Sequence, residues 1–172
     1  MITMGLGRLD NQELMKKTYL SLSRGKVLKA TRDTKEYFNY VEGRLDDIYS
    51  KQRNFNGSSS MFWYIDIRDG GELFSLSIPY DSGTFMSIIL QLASVEELSK
   101  DTMIRIEPYL GDNGFTKIKV FADGEKLDWI TKELPPIENV MIGTRPVKDN
   151  TKRMAYIEEL ASIVRWRLNS HK

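Results

Sequence analysis

The sequence predicts a mainly β domain with flanking helices, and three observations carry that prediction. The central hundred residues break into short runs of alternating apolar and polar residues bounded by turn residues, as half-buried antiparallel strands do. The period switches to a helical one once inside this region, and a longer amphipathic stretch follows near the end. With 172 residues, 41% of them hydrophobic, 28% charged and only 5 prolines, the chain has the composition of one globular domain with appendages.

In chain order, residues 1–24 read as an N-terminal arm whose one local signal is Asp10-Asn-Gln-Glu13, a capping box opening a helical turn. Six strand-like runs then follow: Lys26–Thr31, Tyr40–Lys51, Met61–Arg68, Leu73–Tyr80, Met103–Tyr109 and Thr116–Phe121. Asn56-Gly57-Ser58, Asp69-Gly70-Gly71 and Gly111 to Gly114 supply the turn chemistry for three hairpins. Between the fourth and fifth runs, Ser82-Gly-Thr84 can cap a helix, and Phe85, Ile88, Ile89 and Leu92 recur on one face over Thr84–Ala93. Ser94-Val-Glu-Glu97 repeats a capping pattern. Leu134-Pro-Pro-Ile137 and Gly143 to Pro146 cannot form a regular helix and read as a linker over 133–149. From Asn150 to Leu168, Met154, Ile157, Leu160, Ala161, Val164 and Leu168 share one face, which gives an amphipathic helix within 150–172.

Taking Tyr40–Lys51 as the first barrel strand and Lys26–Thr31 as an extra edge strand, the order is three strands, a helix and two strands. That is the order of an OB-fold, a five-stranded Greek-key barrel with its helix between strands three and four. The expected domain spans residues 25–132. Gly43, inside the long first strand, suits a sharp bend of the kind that lets one strand serve both halves of a small barrel.

Alternation sorts the strands into two faces. Met61, Trp63, Ile65 and Ile67 are core candidates, leaving Phe62, Tyr64, Asp66 and Arg68 opposite. Ile104 and Ile106 oppose Arg105, Glu107 and Tyr109; Ile118 and Val120 oppose Lys117, Lys119 and Phe121. Tyr40, Glu42 and Arg44 lie opposite Val41, Gly43 and Leu45. The noncore faces thus interleave aromatic rings with cations, the combination that single-stranded nucleic acid requires: bases stack on rings for about 1–3 kcal/mol each while cations follow the phosphates. The segment Tyr49–Gly57, read as the loop joining the first two barrel strands, adds Tyr49, Lys51, Arg53 and Phe55. In OB-folds that loop borders the nucleic-acid groove. The expected DNA-binding set is therefore Arg44, Tyr49, Lys51, Arg53, Phe55, Phe62, Tyr64, Arg68, Arg105, Tyr109, Lys117, Lys119 and Phe121. Trp129 is expected to close the core and Trp166 to anchor the last helix.

Chemistry is poorly represented. With no cysteine and a single histidine, His171, neither thiolate metal sites nor a histidine-based nucleophilic mechanism has its parts. Asp46-Asp47, Asp66 with Asp69, and Glu96-Glu97 are the carboxylate pairs a magnesium-dependent nuclease would need, but strand neighbours point apart and Asp69 suits its turn. Gly5-Leu-Gly7 lacks the third glycine of a phosphate loop. No enzyme activity, cofactor or metal is expected. Apolar runs too short for a membrane span, a start at Met1–Asp10 without a signal-peptide layout, and the lack of cysteine together place the expected protein in the cytoplasm, with no membrane partner. The net charge of +1 means that any polyanion binding must come from local segregation of charge.

Several motifs, in order, are similar to those of the OB-fold single-stranded-DNA-binding proteins encoded by tailed phages of gut Bacteroidales, including crAss-like phages. They are Val41-Glu-Gly-Arg44-Leu-Asp-Asp-Ile48, Trp63-Tyr-Ile-Asp-Ile-Arg-Asp69, Leu76-Ser-Ile-Pro-Tyr80-Asp-Ser-Gly83, Ile106-Glu-Pro-Tyr109 and Leu127-Asp-Trp129. The resemblance spans most of the expected barrel. It implies an accessory of DNA replication, recombination or repair that coats exposed single strands without sequence preference, in the host cytoplasm. One departure concerns the end of the chain. Bacterial proteins of this activity typically finish in a flexible acidic tail, whereas Arg165-Trp-Arg-Leu-Asn-Ser-His-Lys172 is basic and helical in pattern. The last helix is expected to pack on the barrel or to join copies in a homo-oligomer. The competing expectation is a protein–protein adaptor or structural component that uses the aromatic face as a subunit interface.

Overall fold

The computed structural model describes residues 16–170, and the expected capping box at Asp10–Glu13 and His171 lie outside them. The strands are β1 (Lys16–Ser23), β2 (Lys26–Ala30), β3 (Lys35–Phe38), β4 (Val41–Phe55), β5 (Ser58–Asp69), β6 (Glu72–Pro79), β7 (Met103–Leu110), β8 (Thr116–Ala122), β9 (Glu125–Lys126), β10 (Glu138–Ile142) and β11 (Arg145–Asp149). Helix α1 (Gly83–Leu92) lies between β6 and β7, and α2 (Thr151–Ser170) follows β11. The fold is thus mainly β, as expected, but among the described residues nine strands form one curled sheet in the order β3-β2-β1-β6-β5-β4-β7-β8-β9 rather than five closing a barrel.

The sheet stays open for identifiable reasons. The free edge of β6 is taken by β1, which runs parallel to it from the Lys16–Glu72 pair to the Leu20–Leu76 pair. The edge of β8 is occupied differently. Gln91, buried on α1, donates from Nε2 to the Ile118 carbonyl at 3.2 Å and accepts from the Val120 N–H at 3.0 Å. One side-chain amide thereby replaces the backbone partner that a neighbouring strand would supply, since buried backbone polar groups must be paired. The curl still brings the two halves of the sheet together: the turn between β1 and β2 meets the end of β7 and the start of β8, with the Gly25 N–H donating to Thr116 Oγ1 at 3.0 Å. A Cβ at Gly25 would lie 2.6 Å from the Leu110 nitrogen, so only glycine allows this approach.

Alternation places the core as expected. Leu45, Ile48, Trp63, Ile65, Ile67, Leu76, Ile78, Ile104, Ile106, Ile118 and Val120 point to the concave side, where Phe85, Ile88, Ile89 and Leu92 of α1 meet them. Trp63 stacks between Tyr80 and Phe85 and donates from Nε1 to the Tyr80 carbonyl at 3.1 Å. Met61 departs from the expectation and is exposed, because it lies beyond the core on the far part of the β4–β5 hairpin.

Helix α2 buries Ile157, Leu160, Ala161, Val164 and Leu168 against α1 and β4, so its apolar stripe finds its partner within the chain. Arg165 pairs with Asp47 at 2.9 Å. Arg167 donates to the carbonyls of Ala93 and Val95 at 2.7 and 2.9 Å, placing a cation at the negative end of α1. Trp166 does not anchor the helix; it is 68% exposed. The stretch expected as a linker contains the β10–β11 hairpin, and Arg153 ties the preceding chain to α2 through the Pro135 carbonyl at 2.8 Å. No helix among the described residues is long and apolar enough to cross a membrane.

Candidate nucleic-acid interface

The convex face of the sheet gathers the expected residues other than Phe55. Cross-strand pairs at Arg44–Arg68, Tyr49–Tyr64 and Lys51–Phe62 put β4 and β5 side chains on one side. Arg44–Met103 carries that face onto β7, and Arg105–Phe121, Glu107–Lys119 and Tyr109–Lys117 carry it onto β8. A β-bulge between Leu45 and Asp47 makes this possible. An extra residue shifts the alternation by one, so Arg44 and Tyr49, five positions apart in sequence, reach the same face.

Tyr49–Gly57 is not the expected loop. Tyr49 to Phe55 continue β4, and only Asn56-Gly57 turns the chain. Lys51 and Arg53 therefore stand on a projecting two-stranded arm, with the Arg53 guanidinium 4.7 Å from the centre of the Phe62 ring. The side chain of Phe55 lies outside the described residues.

Two further groups of rings and cations lie on the same face. Arg105 sits over Tyr40 at 4.1 Å and reaches Phe121 at 5.9 Å, while Lys119 sits over Tyr109 at 5.1 Å. Arg105 also pairs with Glu42 at 3.1 Å and Glu107 at 3.7 Å, and the Glu42 hydrogen bond raises its pKa further. Arg68 pairs with Asp46 at 3.5 Å. Among the described residues Arg44, Lys51, Arg53, Lys117 and Lys119 form no ion pair. The expected cations thus divide into two engaged by carboxylates and five available to an anion.

Tyr64 offers no open ring to a base. It is 7% exposed and lies beneath Tyr49, with centroids 5.4 Å apart and planes at 18°. Beside it, Asp66 is buried on the convex side, where the Tyr49 hydroxyl donates to Oδ1 at 3.4 Å and Lys17 Nζ donates to that hydroxyl at 3.3 Å. Burial raises the Asp66 pKa, outweighing the neighbouring Ser75 hydroxyl, the Lys17 charge and the Tyr49 hydrogen bond. Burial lowers Lys17, but the Tyr49 hydrogen bond and the Asp66 charge together leave it raised. Ser75 Oγ, across the ladder from Asp66, is buried with no hydrogen bond of ordinary geometry. Asp66 is thus held by the Tyr49 hydroxyl and the charge of Lys17 on β1, and among the described residues no three Asp, Glu or His side chains gather to hold a metal.

Sequence reasoning missed β1, which brings Lys17 and Tyr19 to this face. Its signal was present: Thr18, Leu20 and Leu22 alternate with Lys17, Tyr19 and Ser21. It also missed an open groove of about 900 Å³ between α1, β8 and the chain after β9, lined by Tyr109, Lys117, Lys119, Lys126, Trp129 and Lys132 among others. Trp129 does not close the core; it is 37% exposed at this groove.

No family model, curated protein or solved structure matches this chain.

Proposed function

We propose that the protein binds single-stranded DNA without sequence preference, through the convex face of its sheet, as a non-enzymatic accessory of replication, recombination or repair. The observation that carries this reading is the gathering of Arg44, Lys51, Arg53, Lys117 and Lys119, unpaired among the described residues, beside Phe62, Tyr109 and Phe121 on one face of a protein whose net charge is +1. Cations there can follow a backbone while the exposed Tyr109 ring and the half-buried Phe62 and Phe121 rings take bases.

The fold reading goes with it. Strands β6-β5-β4-β7-β8 are adjacent in the order third, second, first, fourth and fifth, with α1 between the third and fourth. That neighbour order supports an OB-type core whose closing contact has been replaced by β1 and Gln91. On this reading the protein works in the cytoplasm, and the sequence resemblance to the phage-encoded DNA-coating proteins points to a host cell as the setting.

The test is fluorescence-anisotropy titration of labelled oligo-dT with duplex DNA as competitor at two salt concentrations. Tight binding to the single strand that weakens with salt supports the proposal; no binding at low salt rejects it. The second reading, a protein–protein interface, is favoured by the exposure of Phe115, Met141, Ile142 and Trp166, between 64% and 70% each. It predicts no oligo-dT binding, together with a partner contact that salt hardly changes.

A further inference from the structure

We propose that the groove between α1 and β8 is a second segment of the DNA path, so that a strand leaving the convex face turns over the edge of β8 and continues into it. The inference rests on the single-strand reading and extends it to residues outside the expected set.

The groove's charge is one-sided. Lys117, Lys119, Lys126 and Lys132 line it against one acid, Asp128. The first two also belong to the convex face, as does Tyr109, and Lys119 lies over the Tyr109 ring at 5.1 Å. These three residues make the groove and the face one continuous surface. The second pair comes from β9 and the chain beyond it, and Trp129 stands between them in sequence, 37% exposed. A ring between two lysines provides one stacking position flanked by phosphate contacts. The floor explains why a groove exists here. Because Gln91 already satisfies the edge of β8 through Ile118 and Val120, no further strand is needed there, and the cleft remains open.

The test compares wild type with a Lys126→Ala/Lys132→Ala variant on a series of oligo-dT lengths. Both lysines are exposed, so the variant keeps its fold, which circular dichroism checks. Each phosphate contact to a single strand contributes about −0.7 to the slope of log K against log salt, so the slope should flatten by about 1.4 on long oligonucleotides. The same relation gives about 25-fold weaker binding at 0.1 M salt. Short oligonucleotides, held by the convex face alone, should bind both proteins equally. In a Trp166→Phe background, long oligo-dT should quench fluorescence, and the quench should disappear when Trp129→Phe is added. Wild-type binding with an unchanged slope and affinity in the double-lysine variant overturns the groove while leaving the convex face standing. Absence of wild-type binding overturns both.

Discussion

Gln91 allows the sharpest test of how this open sheet is held. Replacing it with methionine preserves length and most of the volume but removes both partners of the β8 edge, leaving the Ile118 carbonyl and the Val120 N–H unpaired. An unsatisfied buried backbone group costs about 1–3 kcal/mol, so the pair should cost about 2–6 kcal/mol. For a domain of this size that lowers Tm by on the order of 10 °C, and lowers the urea midpoint by about 1–2 M. Ser87→Ala is the control. The Ser87 hydroxyl accepts from Gln91 Nε2 at 3.2 Å, yet Gln91 keeps its two β8 contacts without it, and the loss should stay near 1 kcal/mol. The assay is urea unfolding followed by far-ultraviolet circular dichroism for wild type and both variants. A Gln91→Met protein within about 0.5 kcal/mol of wild type, well below the cost of even one unpaired group, would refute the claim that this amide substitutes for a strand.

Three further predictions follow from the same structure. Gly43→Ala would place a Cβ 2.6 Å from the Arg68 carbonyl oxygen and 2.7 Å from Ile67 Cγ2, so it should destabilise by about 1–3 kcal/mol in chemical unfolding. Because burial raises the Asp66 pKa, its ionisation opposes folding: the protonated form's advantage is present at low pH and is lost as pH rises through the raised value. Asp66→Asn should therefore gain stability relative to wild type at pH 7, and urea titrations should find that gain shrinking as pH falls towards about 4. Phe62→Ala should weaken oligo-dT binding by about 5- to 150-fold, the equivalent of about 1–3 kcal/mol for one lost stacking platform, whereas Trp166→Ala on α2 should leave anisotropy titrations unchanged.

What could be read in advance was what alternation and turn chemistry encode locally. Ile65, Ile67, Leu76, Ile104, Ile106, Ile118 and Val120 announce a one-sided core, and Phe85, Ile88, Ile89 and Leu92 announce α1. Strand β1 escaped because its pairing with β6 is parallel and spans more than fifty residues, and because the capping box at Asp10 drew its neighbourhood towards a helix. The far part of β4 escaped for the opposite reason: Ser50 to Asn54 is polar at every position, since a hairpin arm exposed on both faces needs no alternation. The bulge at Asp46 hid the fact that Arg44 and Tyr49 share a face. Tyr64 looked available because alternation assigns a face without revealing what covers it, and Tyr49 does. Lys126, Trp129 and Lys132 fall at β9 and just beyond it, where no periodicity links them to α1.

The central claim is that the unpaired cations of the convex face bind a single strand. The most direct measurement is the salt dependence of oligo-dT affinity for wild type and a Lys51→Ala/Arg53→Ala/Lys117→Ala/Lys119→Ala variant. At about −0.7 per contact, the slope of log K against log salt should flatten by about 2.8 in the variant. A wild type that binds with salt sensitivity, and a variant whose slope and affinity match it, would contradict the account.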